Sequence, residues 1–155
     1  MGQKNYRDIL IKEIQAAFKH LARLNEAHKL LHNKYSFPIN KTSYEKIVSN
    51  PIDLALADQI IYRFSKLQDT LGAKIFKNFL LYQGENVNKP FLDILNRLEE
   101  IGLIDVERWF EIRDLRNEIA HDYENDDFEA VEIINEIINA KKELEKTLNK
   151  LKEMI

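Results

Sequence analysis

One short segment of the sequence gathers the residue types that proton transfer and charge stabilisation require. It reads Arg113-Asp114-Leu115-Arg116-Asn117-Glu118-Ile119-Ala120-His121-Asp122-Tyr123. A histidine exchanges a proton near neutral pH, which is the task that His121 suits. An arginine is a permanent cation that offsets developing negative charge, which suits Arg116. The segment is therefore the candidate functional centre of the chain.

The spacing within this segment limits what one straight helix can do. Arg113, Asn117 and His121 are four residues apart, so an ideal helix places them on one stripe. Arg116 and His121 are five apart and differ by about 140° on such a helix. Their convergence needs the long arginine side chain, a distorted helix end or a symmetric second chain. In a plainer interpretation, which stays open, His121 merely lies near a helix C-terminus. The arginines then form surface ion pairs with Glu111, Asp114 or Glu118.

Helical periodicity dominates the rest of the chain, and no strand pattern is evident. Apolar residues recur every three or four positions, and breakers are few, with three prolines and four glycines. We predict helices near 5–33, 52–82, 90–100, 105–122 and 127–153. Their N-caps include Asn50, Asp105 and a residue within 125–127, and Gly72 leaves room for a close helix approach. Residues 40–50 are predicted as either a loop or a short helix.

These helices predict an all-α fold, an up-and-down helical bundle of about five helices in one domain over residues 1–155. The net charge is −3, cysteine is absent, and no run of eighteen apolar residues is present, so we expect no membrane span and a cytoplasmic location. Residues 1–6 also lack the apolar core of a signal peptide. His28 and His32 have no evident third ligand, so they and His20 are predicted to be exposed histidines, and no metal or other cofactor is expected.

A basic stripe follows the second long helix. It consists of Arg63, Lys66, Thr70, Lys74 and Lys77, which share one side at about 3.6 residues per turn. Lysines beside an apolar stripe commonly cover the core with their stems and keep their charge in water. Alternatively, the stripe is an electropositive track for a phosphate backbone, with Arg63, Lys66, Lys74 and Lys77 as RNA-binding residues.

The candidate segment also resembles a known motif. Arg116-x4-His121-x-Tyr123 resembles the R-x4-6-H motif of the HEPN superfamily, in the R-x4-H-x-Y form of HepT-like toxins. Residues 63–72 are similar to the second long helix of bacterial HEPN proteins encoded beside small nucleotidyltransferases. The resemblance is clearest over residues 55–150 and looser for the first helix and residues 35–50.

This resemblance implies a metal-independent endoribonuclease whose homodimer brings two motifs to one cleft. The fourth predicted helix, 105–122, is then expected near the two-fold axis. The RNA 2′-hydroxyl is the nucleophile in such a reaction. His121 and Arg116 are then the catalytic residues. Asn117 orients His121 or binds a phosphate oxygen, and Arg113 adds positive potential. Tyr123, expected to be exposed beside this pair, is the family position at which a partner nucleotidyltransferase attaches AMP and silences the toxin.

The surroundings of the motif leave the function open. Its neighbourhood is acidic, with Glu118, Asp122, Glu124, Asp126 and Asp127. These charges repel RNA unless the basic stripe or a partner chain faces the same cleft. Three functions remain: a HepT-like ribonuclease toxin neutralised by a nucleotidyltransferase antitoxin, a non-catalytic HEPN subunit that binds a nucleotide or substrate for a nucleotidyltransferase, and a helical interaction module.

Overall fold

A computed structural model describes residues 5–121 and 123–155, and these residues contain helices and no β-strand. The helices are α1 (Tyr6–His32), α2 (Lys41–Ser49), α3, α4 (Phe91–Ile101), α5 (Val106–Ile119) and α6 (Asp127–Glu153). Helix α3 consists of Pro51–Thr70 and Phe76–Tyr82 joined by a π-helical turn, Leu71–Ile75, and a 3₁₀ turn covers Tyr123–Asn125. The predicted all-α fold is confirmed, and the alternative left open for residues 40–50 is settled as a short helix.

Local capping explains where most helices begin. The Asn50 side chain accepts hydrogen bonds from the backbone N–H groups of Ile52 and Asp53, at 3.0 and 3.2 Å. Asp105 caps α5, and Asp126 caps α6 in the same way. Each cap satisfies backbone donors that the first helical turn leaves unpaired. The N-caps predicted from the sequence are thus confirmed.

The four long helices run up and down. Two polar contacts show that α1 and α3 are antiparallel: Asn78 donates to Glu13 at 2.6 Å, and Lys34 pairs with Asp53 at 2.9 Å. Helix α5 packs on α3, and α6 packs on both α1 and α5. Helices α3 and α6 therefore lie between α1 and α5, and α4 packs against α5 and the end of α3.

One contiguous apolar cluster fills the centre of the bundle, with Phe64, Phe76 and Phe79 among its fully buried side chains. Some residues of the predicted apolar stripes lie outside it. Ile9, Leu30 and Phe128 are exposed, although they belong to the apolar periodicity of their helices. In the described part of the chain, no helix has both the length and the hydropathy needed to cross a membrane.

The C-terminal end of α5 corrects the predicted helix boundary. The helix ends at Ile119, whereas the sequence predicted a continuation to 122. The backbone N–H groups of Ala120 and His121 donate to the carbonyl oxygens three residues earlier, at 3.1 Å each, which tightens and closes the last turn. His121 therefore does not extend the stripe of Arg113 and Asn117. Asp122, the predicted end of this helix, lies outside the described residues. Residues 1–4, which belong to the segment without the apolar core of a signal peptide, lie outside them as well.

Candidate functional site

An open groove of about 660 Å³ runs along the surface between α3 and α5. It is lined by Gln68, Asp69, Gly72, Ala73, Phe91, Trp109, Arg113, Arg116, Asn117 and Ala120. Three residues predicted for the site, Arg113, Arg116 and Asn117, therefore lie together on one wall. The groove is the place where the sequence motif and a cavity coincide.

The helical period of α5 separates its charges between two faces. Trp109, Arg113, Arg116 and Ala120 are spaced by three and four residues and face the groove. A second hollow, on the α6 side of α5, is lined by one basic side chain, Arg108, and by four acidic ones: Glu111, Asp114, Glu118 and Glu136. The described lining of the groove contains one acidic residue, Asp69. Of the acidic residues around the motif, Glu118 thus lies on the other face of α5.

Asp69 of α3 holds the guanidinium of Arg116 across the groove. The Nε and Nη2 atoms of Arg116 donate to the two carboxylate oxygens of Asp69 at 3.2 and 3.3 Å. This two-point contact fixes the plane of the guanidinium as well as its position. Arg116 thus pairs with a residue on another helix, and not with the acids on its own helix that the plainer interpretation named.

The floor of the groove is formed where Gln68, Gly72 and Trp109 meet. A Cβ atom on Gly72 would lie 3.0 Å from Cζ2 of Trp109, so the close helix approach predicted at Gly72 is confirmed. Trp109 is buried, and its Nε1 donor has no hydrogen-bond partner among the described residues. Gln68 is only 7% exposed, although its amide is polar. The Trp109 N–H is thus a buried donor without a partner in the described chain, whereas Gln68 contributes a polar side chain to the groove lining.

The two other motif residues lie past the end of α5. His121 is exposed, and Tyr123 is half-buried within the 3₁₀ turn. The described lining of the groove includes neither of them. Burial and the negative charges of Glu124 and Asp58 raise the pKa of Tyr123. The expectation of an exposed tyrosine was therefore wrong, because the turn after α5 packs Tyr123 against the core.

The basic stripe of α3 lies beside α1. Arg63 donates through Nη1 to Nδ1 of His20 at 2.9 Å, and burial together with the Arg63 cation lowers the pKa of His20. The Lys66 ammonium lies over the Tyr62 ring, 5.7 Å from its centroid. None of the predicted RNA-binding residues is among the described groove-lining residues: Arg63, Lys66, Lys74 and Lys77. Their role in RNA binding stays a prediction, for a surface next to the groove.

The histidines of α1 differ in their surroundings. His28 is half-buried, and its Nδ1 accepts a hydrogen bond from Lys141 of α6 at 3.1 Å. Burial and the Lys141 cation lower the pKa of His28 to about 4. His32 is exposed, as predicted, whereas the prediction of exposure was wrong for His20 and His28. His28 is a packing residue of the α1–α6 contact.

Sequence reasoning missed the α3 side of the groove. Gln68 lies four residues after Phe64 and three before Leu71, so a polar residue interrupts the apolar stripe, and this was an available signal. Asp69 had no comparable signal, because it resembles the other surface acids of the bundle. Its partner Arg116 is 47 residues away in the sequence.

Comparisons with known proteins give no relative for this chain. No family model matches it, and neither a curated protein nor a solved structure shows detectable similarity. The motif and the groove are therefore the features of this chain that bear on its function.

Proposed function

We propose that this chain is a HEPN-like, metal-independent endoribonuclease that acts as the toxin of a toxin–antitoxin pair with a nucleotidyltransferase antitoxin. The observation that carries the proposal is the position of Arg116, held by Asp69 in an open groove beside Arg113 and Asn117. His121 follows at the end of the same helix. The R-x4-H-x-Y resemblance supplies the reaction.

In the proposed reaction the RNA provides its own nucleophile. The 2′-hydroxyl loses its proton to a base and attacks the adjacent phosphorus, and the bond to the 5′-oxygen of the next nucleotide breaks. His121 accepts the proton of the 2′-hydroxyl and gives a proton to the leaving 5′-oxygen, and Arg116 offsets the charge that builds on the phosphorane oxygens. The products are a 2′,3′-cyclic phosphate and a free 5′-hydroxyl. Neither proton transfer nor charge stabilisation in this scheme requires a metal.

A two-fold homodimer would complete the site. Arg116 faces the groove, whereas His121 lies beyond the helix end and is exposed. A second copy placed with α5 near the symmetry axis would bring its own His121 and Arg116 to the same cleft, because a two-fold contact is self-complementary. The groove between α3 and α5 opens to the surface, where this partner would lie.

Substitutions on one helix test the catalytic assignment. Arg116→Ala and His121→Ala should each abolish RNA cleavage and leave the helical content and thermal midpoint nearly unchanged, because both are surface residues. Arg108→Ala is the matched control, since Arg108 also lies on α5 but pairs with Glu111 outside the groove. Cleavage should persist in EDTA. Cleavage that survives both substitutions, or that requires a divalent metal, would contradict the proposal.

The proposed silencing reaction is tested at Tyr123. Tyr123→Phe should retain cleavage and resist silencing by a nucleotidyltransferase with ATP, because the hydroxyl that would receive AMP is absent. Tyr62→Phe is the control, since Tyr62 is 50% exposed on α3. Modification of the Tyr123→Phe protein to the normal extent would exclude Tyr123 as the acceptor.

A non-catalytic HEPN subunit that binds a nucleotide or substrate for a nucleotidyltransferase is the second candidate function. The observation in its favour is that His121 is not among the described groove-lining residues, while the groove floor carries buried polar groups. A purified protein that cleaves no RNA but is retained by a nucleotidyltransferase would favour this function.

A further inference from the structure

The floor of the α3–α5 groove is lined by small and aromatic residues. Gly72 has no side chain, and Ala73 and Ala120 contribute only methyl groups. The edge of the Trp109 indole lies against Gly72, and half-buried Phe91 adds a second aromatic side chain to the lining. Nucleobases stack on accessible aromatic faces, and of these two rings half-buried Phe91 presents the accessible one, because Trp109 is only 3% exposed. The cavity volume, about 660 Å³, is within the range of roughly 300–1,000 Å³ found for small-ligand sites.

The same floor has a polar group, the Gln68 amide, suited to reading a base edge. Cζ2 and Nε1 belong to the same edge of the Trp109 indole, and Cζ2 is the atom closest to the Cβ position of Gly72. Nε2 of Gln68 lies 3.7 Å from that position. The amide of Gln68 therefore lies beside Gly72 in the groove lining, whereas the indole N–H of Trp109 is buried beneath the floor.

We infer that this floor is a base-selective subsite in which Gln68 reads an adenine next to the phosphate bound by Arg116. The inference rests on the proposed function for RNA as the ligand. A glutamine amide presents a donor and an acceptor side by side, and this pair matches N7 and the N6 amino group of adenine. Guanine presents two acceptors on the same edge and is matched by arginine instead.

The charges at the rim of the groove suit a phosphate beside the base that Gln68 reads. Arg113 is exposed and has no ion pair among the described residues, and Arg116 forms an ion pair with Asp69. Two arginines and one carboxylate leave the rim positive, which suits a phosphate. Gln68 is the buried polar side chain of the floor, so burial restricts its amide in a way that does not apply to exposed Arg113.

The single tryptophan makes the subsite directly observable. Trp109 is the chain's only tryptophan, so intrinsic fluorescence reports on the groove floor. The four nucleoside 3′-monophosphates are titrated separately into the full-length protein. They have no internucleotide bond to cleave, so the measurement does not depend on ribonuclease activity. Adenosine 3′-monophosphate should bind about tenfold more tightly than the other three, the discrimination expected of a bidentate amide contact.

Variants of two glutamines on the same helix test the assignment. Gln68→Leu should remove the adenine preference, and Gln68→Glu should do so as well, because the carboxylate has no donor for N7. Gln59→Leu is the matched control, since Gln59 also lies on α3 and is not among the described groove-lining residues. Circular dichroism of each variant establishes that it is folded, and Gln68→Glu keeps the test available if the leucine variant does not fold.

Specific outcomes would overturn the inference. These are equal affinities for the four nucleotides, no saturable fluorescence change, or an adenine preference that survives both Gln68 substitutions. A guanine preference that Arg113→Ala removes would assign the reading to Arg113 and also overturn it. Adenine-selective binding by a protein that cleaves no RNA would support the subsite and count against the ribonuclease. RNA cleavage by a protein that binds the four nucleotides equally would support the ribonuclease and overturn the subsite.

Discussion

The contact between Arg116 and Asp69 determines how the candidate catalytic cation is presented. Both side chains are partly exposed, at 29% and 46%. Ion pairs at such exposure contribute only about 0–1 kcal/mol to stability. The two-point geometry therefore matters more for the orientation of the guanidinium than for the free energy of unfolding. In the proposed reaction Asp69 is a positioning residue, because it acts through Arg116.

Replacing the carboxylate by an amide tests this role. Asp69→Asn should lower kcat for RNA cleavage by roughly ten- to hundredfold, because the guanidinium loses its fixed orientation. The KM should stay the same or fall, since a negative charge leaves the groove, and the free energy of unfolding should change by less than about 1 kcal/mol. Steady-state kinetics and urea denaturation measure these quantities. Asp114→Asn on the acidic face of α5 is the control, and an unchanged kcat for Asp69→Asn would remove Asp69 from the mechanism.

The contact between His28 and Lys141 predicts a pH dependence of stability. The pKa of His28 is about 4 in the folded chain, because of burial and the Lys141 cation, against a usual value of 6.5. Between these two pH values the unfolded chain binds more protons, so stability should fall as the pH decreases from 6.5 towards 4. NMR titration of the imidazoles should give His28 a pKa near 4. His28→Gln should flatten the stability profile over this range, and His32→Gln should not. A His28 pKa near 6.5 would contradict the prediction.

At the scale of the helices, the sequence predicted the residues at which helices begin better than the residue at which α5 ends. The caps at Asn50, Asp105 and Asp126 are local contacts within two or three residues, so their positions follow from the sequence. The end of α5 depends on the fold, because the turn after Ile119 packs Tyr123 against the core. The predicted position of His121 on the stripe of Arg113 failed for this reason.

The contact between α3 and α5 depends on the size of one residue. Gly72→Val should destabilise the chain by about 1–3 kcal/mol, because its Cβ alone would lie 3.0 Å from Trp109 and the branched side chain needs more room. Urea denaturation followed by circular dichroism measures this change. Ala73→Val is the control for helix propensity, since Ala73 is exposed on the same helix. Equal stabilities of the two variants would show that the helices can separate at Gly72 without loss.

For the whole molecule, the sequence predicted the class of fold and one wall of the candidate site. Apolar periodicity is enough to indicate a bundle, since every long helix buries one stripe. The opposite wall of the groove was not predicted, because Asp69 reaches Arg116 only through the packing of α3 on α5. The fit between the surfaces of two helices that are distant in the sequence leaves no pattern in one amino-acid sequence. The contact between the two copies of the proposed dimer likewise leaves no pattern in the sequence.

Mixing two inactive variants tests that assembly. We expect wild-type protein to sediment as a dimer at micromolar concentration. Arg116→Ala and His121→Ala homodimers should each be inactive. After mixing and subunit exchange, a dimer with one chain of each type retains one Arg116 and one His121, on different chains. If these residues act together across the two-fold axis, the mixture should recover up to about a quarter of wild-type activity, because half of the dimers are mixed and each has one of two pairs.

The control for this experiment uses a single variant. An Arg116→Ala sample treated by the same exchange procedure contains no intact arginine and should stay inactive. Recovery in the mixture alone would show that the reacting arginine and histidine come from different chains. No recovery, together with exchange verified by mass spectrometry, would mean that each site uses residues of one chain or needs all four side chains. A protein that sediments as a monomer yet cleaves RNA would reject the dimeric site, because Arg116 and His121 of one chain would then be sufficient.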